Sequence, residues 1–474
     1  MKNIIIILFV FGIKISYAQT ENIANKTVTE DFINSYNNND YKLIFSMFSA
    51  EMQEALPLNK TIGFLTDLKS KEGNIAHKEF IKYENRTYAS YKTSFEYSIL
   101  VLNISVDENL KINGLLIKPF IVEDSTVTII NNLFTNNNII TKKQSKIIFK
   151  YSKIFPNQTQ IAIAIIKNGD VKYYGFKRNA NTLSTIENHK SVFEIGSLTK
   201  VFTSTLLAGF VIDKKIDLDE YINDYLEFSF NNDSKISFKE LSNHTSGLPS
   251  LPTNLDLSSV NPANPYCNYN KNKLEEYLTK HLNLSQNLIG KYQYSNLGAG
   301  IIGYVLSKIE DNNFEKLLEK KIFSKYNMLS STSKQNKVND KFIEGLDTDG
   351  NIVANWDFLV LSGAGGILSN VNDLSKFVIA QFDSSNKELE LTRQKTFEIN
   401  DNMNIGLGWH IINSKNGNQW CWHNGGTGGY TSSMTIDAEN KNGIIILSNV
   451  SAFNPNMENI DKICFELMET LEKE

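Results

Sequence analysis

Residues Val201 to Ile212 carry no charge, and no other stretch limits the fold so strongly. At helical spacing the stretch is apolar on nearly every side, and a helix of that kind has to be enclosed by other elements. Enclosing it takes a large core, and the chain can supply one. It has 474 residues, 41% of them hydrophobic and 11% aromatic, with 26 Gly and 8 Pro. Those figures exclude a disordered, collagen-like or low-complexity chain. At about 150 residues per domain the length suggests roughly three domains, and two large ones fit equally well. Lys and Arg number 48 against 52 Asp and Glu, a net charge of -4. So small an imbalance gives no electrostatic case for nucleic acid or an anionic membrane as the main partner. Cys267, Cys421 and Cys464 lie far apart. They are too few for a disulfide framework, no CxxC or Cys/His cluster suggests zinc, and the sequence does not choose a pair among them.

The N-terminus has the layout of a secretory signal. Lys2 precedes an almost unbroken apolar run from Ile4 to Ile13, and Ser16-Tyr17-Ala18 before Gln19 forms a small-residue cleavage site. The run is too short to span a bilayer with margin, and no later segment reaches that length. No Cys follows it, which argues against a lipoprotein anchor. The expectation is a signal peptide over 1–18 and a mature chain exported to the periplasm or beyond, with no stable membrane span.

Two folding units follow. In the first, residues 25–120, Val28 to Tyr36, Tyr41 to Phe48 and Lys60 to Leu68 have helical spacing. The period then falls towards two, and His77 to Tyr83, Thr87 to Ser94, Glu96 to Ile104 and Leu110 to Pro119 read as strands. Helices followed by an antiparallel meander make a small α+β domain. The order resembles the cystatin-like or NTF2-like domains that precede some bacterial hydrolases. No convergent polar cluster stands out in it, so an accessory role is expected, with the partner left open. Residues 121–144, rich in Asn and Thr, read as a connector.

The second unit, 145–474, opens with a helix over Lys143 to Ile154. A hairpin follows, Gln160 to Lys167 and Val171 to Gly175, turning at Asn168-Gly169-Asp170. It closes with strands over Ile405 to Ile412, Gln419 to Trp422, Tyr430 to Asp437 and Gly443 to Ser448, then a helix from Met457 to Leu471. The middle, about 215–345, reads as mostly helical. A sheet built from both chain ends, with a helical insertion, is the economical topology.

The chemistry begins at Ser197, at the head of the uncharged helix. Free backbone N–H groups and the positive end of the helix dipole collect there. Lys200 lies one turn on, on the same face. Burial and the helix end both disfavour its ammonium form, so its pKa should fall and leave a base beside the hydroxyl. Ser-x-x-Lys also occurs at Ser331/Lys334 and Ser384/Lys387, but in polar loop sequence. Tyr294-Ser295-Asn296 is a second candidate element, since Gly290 to Gln293 is a short extended piece and Leu297 to Gly303 a closely packing helix. Near two cations the Tyr294 phenol is expected to fall below its ordinary ~10 and serve as a general base. The third element is Trp422-His423-Asn424-Gly425-Gly426-Thr427-Gly428-Gly429, where a glycine-rich strand lets backbone approach a ligand and N–H groups hold an oxyanion. It lacks the Gly-Lys-Ser/Thr of a phosphate loop.

Together these motifs resemble the serine beta-lactamase and penicillin-binding-protein superfamily, in its class C-like branch of beta-lactamases, DD-peptidases, D-aminopeptidases and esterases. Phe193-Glu194-Ile195-Gly196-Ser197-Leu198-Thr199-Lys200 is similar to its first motif and Tyr294-Ser295-Asn296 to its Tyr-x-Asn motif. His423-Asn424-Gly425 stands where class C beta-lactamases have Lys-Thr-Gly. Leu241 to Pro249 and Gly363 to Ser369 are supporting stretches. The resemblance spans about 145–470 and leaves out the first unit. It implies a beta-lactamase/transpeptidase-like fold, an antiparallel sheet flanked by helices with a mostly helical subdomain.

The resemblance further implies a serine hydrolase that needs no metal or cofactor. Ser197 attacks a carbonyl, Lys200 and Tyr294 share its proton, the N–H groups of Ser197 and Gly426 hold the oxyanion, and Asn296 orients Lys200 or substrate. His423, Asn424 and Gly425 complete the substrate-binding strand. The substrate is a small molecule or peptide with a reactive carbonyl: an ester, a D-amino-acid amide, a peptidoglycan peptide or, weakly, a β-lactam. His423 replaces a permanent cation by a group of pKa ~6.5, which weakens anchoring of a substrate carboxylate. The competing readings are a penicillin-binding protein that acylates without turnover and a catalytically dead scaffold. His244 is expected to cap its turn, and Cys421 to pack.

Overall fold

The computed structural model describes residues 21–84, 87–120, 128–134, 139–255, 261, 263–338 and 341–472. The segment read as a signal lies outside them. Among the described residues no helix is long and apolar enough to cross a membrane. The chain divides into two compact units, 1–124 and 125–474.

In the first unit α1 (Ile23–Asn37), α2 (Tyr41–Met47), α3 (Ala50–Ala55) and α4 (Leu58–Glu72) precede β1 (Ile75–Glu84), β2 (Tyr88–Phe95), β3 (Ile99–Val106) and β4 (Ile112–Pro119). The strands form an antiparallel meander in the order β1-β2-β3-β4. Helix α3 was not expected. Its start is fixed by Ser49, whose hydroxyl accepts from Met52 N, a local cap with no periodic signature. Alternation sends Ala89, Tyr91, Leu102 and Ile104 onto Val28, Phe32 and Tyr36 of α1, and this unit has a core of its own.

The second unit is ordered by a ten-stranded sheet. Its members are β5 (Ile130–Asn132), β6 (Gln160–Lys167), β7 (Asp170–Asn179), β8 (Thr182–Thr185), β9 (Phe397–Asn400), β10 (Met403–Ile405), β11 (His410–Asn413), β12 (Gln419–Gly426), β13 (Thr431–Asp437) and β14 (Asn442–Ser448). They stand in the order β9-β10-β11-β12-β13-β14-β6-β7-β8-β5, so the two chain ends meet where β14 pairs with β6. Strand β5, parallel to β8, lies inside the stretch read as a connector. The single strand expected over 405–412 is two strands, because Gly406-Leu407-Gly408 turns the chain and Gly406 N donates to Trp409 O.

Both faces of this sheet are covered. Ala162, Ala164, Ile166, Ile445 and Leu447 pack to one side, and Ile161, Ile163, Ile165, Ile444 and Ile446 to the other. That is why β6 and β14 read as continuous apolar runs: alternate residues meet different cores. The second face is closed by α5 (Lys142–Ser152) and the C-terminal helix at Asn459–Glu469. The first face holds α6 (Thr199–Ile212), which carries the uncharged stretch from Val201, with the Phe202 ring centre 4.5 Å from that of Phe377. Among the described residues between 215 and 345 the longest helix is α7 (Asn296–Ile309); the others are short, such as Phe238–Ser242 and Lys271–Glu276. The regular elements of the middle are thus helices, as expected, but short ones joined by turns, and Pro249, Pro252 and Pro265 all fall in the turns between Phe238–Ser242 and Lys271–Glu276.

Candidate active site

Ser197 sits where a short strand becomes a buried helix. Phe193–Glu194 pairs with Leu368–Ser369, Gly196 turns at φ 51°, and a single 3-10 turn over Gly196–Leu198 runs into α6. Lys200, one helical turn along, is 2% exposed. Its Nζ lies 3.0 Å from Ser197 Oγ, 2.7 Å from Asn296 Oδ1 and 2.8 Å from the Ala364 carbonyl oxygen. Burial pushes Lys200 well below the ordinary lysine range. A neutral amine has two N–H donors and one lone pair. An amide oxygen and a backbone carbonyl can only accept, so they take both donors. The lone pair is left for the Ser197 hydroxyl.

The glycine-rich motif is the far half of β12. Strand β11 begins at His410, opposite Trp422, so among the described residues His423 to Gly426 have a strand partner only in β13. The Ser197 turn packs against this half. Ser432 of β13 donates to the Ile195 carbonyl at 2.8 Å. A Cβ on Gly425 would lie 2.1 Å from Ile195 O and 2.8 Å from Ser197 N, and one on Gly196 would lie 2.5 Å from Gly426 N. Only glycine at both places lets the backbones of Ser197 and Gly426 come together.

Tyr294 enters just ahead of α7. Ser295 caps that helix: its hydroxyl accepts from Gly298 N at 3.0 Å and donates to the Pro249 carbonyl at 2.7 Å. Its own N–H donates to His244 Nδ1 at 3.1 Å. Lys200 Nζ lies 4.8 Å from the centre of the Tyr294 ring. The expected fall in the Tyr294 pKa is overturned. Burial raises it, and the hydrogen bond with Ser197 opposes this only in part. Burial disfavours the charged forms of both expected cations, Lys200 and His423, so neither draws the phenol down. Tyr294 remains a phenol.

His423 is 2% exposed, and burial above all pushes its pKa well below the ordinary histidine range. Its Nδ1 lies 2.6 Å from the Asn424 carbonyl, which can only accept, so Nδ1 carries the proton and Nε2 is an acceptor. Asn424 points the other way. Alternation along β12 puts it on the opposite face of the sheet, where Nδ2 donates to Asp461 at 2.7 Å. Its side chain thus braces the strand from behind, which corrects the expectation of a substrate contact.

The structure brings Ser197, Lys200, Asn296, Tyr294, His423, Gly425 and Gly426 together. It also adds residues that sequence reasoning missed. His244 is no simple turn cap: its ring lies 4.7 Å from that of Tyr294. His410 lies 5.3 Å from His423 and shares a 2.9 Å hydrogen bond with Tyr292. Burial lowers His244 to about 3 and His410 to about 4. Glu194, three residues before Ser197, is raised to about 7 by burial while its Oε1 accepts from Asn355 and Trp356 N. Among the described residues no group of His, Cys, Asp and Glu is placed to hold a metal ion. The three thiols are free, and Cys421 and Cys464 belong to cores on opposite faces of the sheet.

A sheet closed by both chain ends, with Ser-x-x-Lys heading the buried helix beside it, is the beta-lactamase/transpeptidase fold of serine hydrolases. The chain belongs to the beta-lactamase family, whose model, described as Beta-lactamase, matches residues 156–463. A second model, described as a protein of unknown function (DUF3887), matches 29–115. A beta-lactamase of Providencia stuartii is 31% identical over 162 residues, 34% of this chain and 38% of that protein. One of Pseudomonas fluorescens is 26% identical, covering 53% of this chain and 69% of its own length. The chain thus spans well under half of the Providencia protein. Among solved structures, the beta-lactamase/D-alanine carboxypeptidase from Pseudomonas syringae superposes with a TM-score of 0.58 at 19% identity, covering 71% of this chain and 99% of its own. At that identity the likeness concerns the fold.

Proposed function

We propose that the chain is an exported serine hydrolase that acts through an acyl-enzyme on neutral esters or amides. The observation that carries this is the 3.0 Å contact of the buried Lys200 Nζ with Ser197 Oγ beside two acceptor-only neighbours, Asn296 Oδ1 and the Ala364 carbonyl, which would take both N–H donors of a neutral amine. Ser197 Oγ bonds to the substrate carbonyl carbon while its proton passes to Lys200. The N–H groups of Ser197 and Gly426 hold the oxyanion, each such donor worth about 10² to 10³ in rate. The bond to the leaving group breaks as that group takes a proton back, from Lys200 directly or through the Tyr294 phenol. Water then adds to the acyl carbon, gives its proton to Lys200 and releases the acid, restoring Ser197.

His423 sets the substrate class in this reading. A neutral ring presenting an acceptor does not anchor a carboxylate; it suits a hydroxyl or N–H donor. Hydrolysis of p-nitrophenyl acetate and of a D-Ala-D-Ala peptide, in the protein and in His423→Lys, tests this. The expected result is ester turnover in the first and a KM for the carboxylate-bearing peptide that falls in the second. An unchanged or higher KM contradicts the role given to His423. Export is tested by sequencing the N-terminus of secreted protein, which should begin near Gln19.

A further inference from the structure

His244 follows the short helix Phe238–Ser242 with φ 58°. Glycine or asparagine commonly ends a helix in that left-handed region, and a bulky side chain is a costly choice there. The turn does not need the imidazole. Backbone bonds close it, with Thr245 N donating to Glu240 O at 2.9 Å and Asn243 N to Lys239 O at 2.8 Å. Yet the side chain is kept, and it is 5% exposed.

What His244 touches is the Tyr294 segment. Gln293 N donates to the His244 carbonyl at 2.7 Å, and Ser295 N donates to its ring Nδ1 at 3.1 Å. One residue therefore accepts from the amides on both sides of Tyr294. The two rings lie 4.7 Å apart, tilted by 41°. Because Nδ1 accepts, the proton of the neutral ring is on Nε2. Burial, which lowers His244 to about 3, keeps Nδ1 an acceptor at neutral pH. Ser295 is 1% exposed, so without Nδ1 its N–H would be buried and unpaired unless the turn moved. The helix side of the turn has its own anchor, since the Ser295 hydroxyl bonds to Gly298 N and the Pro249 carbonyl. The movement would fall on Tyr294.

We propose that His244 is a positioning residue, whose ring Nδ1 acts through the Ser295 amide to aim the Tyr294 phenol at the leaving group. The proposal rests on the reading of Ser197 as nucleophile and of Tyr294 as a proton carrier. Two acetate esters separate its effect. p-Nitrophenolate departs as a stable anion, whereas trifluoroethoxide needs a proton. With trifluoroethyl acetate, Ser197 Oγ bonds to the carbonyl carbon and its proton passes to Lys200. As the ester C–O bond breaks, the alkoxide takes the phenol proton, and Lys200 returns one to Tyr294. Both esters leave the same acetyl-enzyme, so the ratio of their kcat/KM values reports departure of the leaving group.

His244→Gly and His244→Asn both suit the left-handed backbone, and only Asn carries a side-chain acceptor. His244→Phe keeps a ring and loses the acceptor. For trifluoroethyl acetate, kcat/KM should fall by about tenfold or more in the Gly and Phe variants. For p-nitrophenyl acetate it should stay within about threefold, and His244→Asn should stay near the parent for both esters. In Tyr294→Phe, adding His244→Gly should change neither value by more than about twofold, because the two residues act as one. Equal losses on both esters, a loss in only one of the Gly and Phe variants, or an undiminished loss in the Tyr294→Phe background overturns the proposal and leaves the nucleophile in place. Hydrolysis of p-nitrophenyl acetate that survives Ser197→Ala overturns the nucleophile and the proposal together.

Discussion

At the scale of single residues, the account turns on how many hydrogen-bond donors Lys200 has. An ammonium would serve Asn296, Ala364 and Ser197 equally, but it would stand 2% exposed with no carboxylate among those partners. Such burial favours the amine, and the amine makes Ser197 the donor. Lys200→Met keeps the length and burial of the side chain and removes the lone pair. Ester hydrolysis should fall by about 10² to 10⁴ in kcat, the usual worth of a positioned base, with the thermal midpoint held or raised. Hydrolysis within about twofold of the parent would contradict the role. Ser197 and Lys200 were legible in the sequence because spacing i, i+3 and an uncharged helix fix both neighbourhood and burial. The ionisation of Tyr294 was not, because it depends on whether Lys200 and His423 are charged, and burial decides that. His244 and His410 were illegible as site residues, since each stands alone in its segment and meets the others only through the fold.

At the scale of elements, the approach of the Ser197 turn to β12 is the decisive contact. It depends on the absence of a side chain at Gly425, where a Cβ would lie 2.1 Å from Ile195 O. Gly425→Ala should push the strand from the turn and separate the two N–H groups proposed to hold the oxyanion. We expect acylation to drop by about 10² or more, with circular dichroism close to that of the parent. Full activity in this variant would show that the two backbones do not act together. The motif strand was readable from its glycines, but its sidedness was not used: period two sends Asn424 to Asp461 while His423 faces the site. The long strands of the second unit were legible as apolar runs because both sheet faces are buried. Strand β9, Phe397–Asn400, pairs at the sheet edge with alternating exposure and gave no such run. Helix α3 and the turns of the middle region depend on local caps and prolines, which hydrophobic periodicity does not register.

At the scale of the whole molecule, the same burial that tunes the site ties stability to pH. His244 and His410 titrate near 3 and 4 when folded, and near 6.5 when unfolded. The unfolded chain therefore binds more protons in that window. Stability is full above about 6.5 and falls as pH drops towards the folded values, by about 1.4 kcal/mol per pH unit for each histidine. Glu194, raised to about 7 from an unfolded value of 4.5, works the other way: its contribution is full below 4.5 and is lost as pH rises through 7. The urea midpoint should be lower at pH 5 than at pH 7, and Glu194→Gln should steepen that difference. A midpoint independent of pH would contradict the buried, neutral histidines. The most direct test of the central claim is to incubate the whole protein and Ser197→Ala with a serine-reactive phosphonate, then measure intact mass and map the modified peptide. The account predicts one adduct, on Ser197, in the protein and none in the variant. An adduct that persists in Ser197→Ala, or one that maps to another residue, would contradict it.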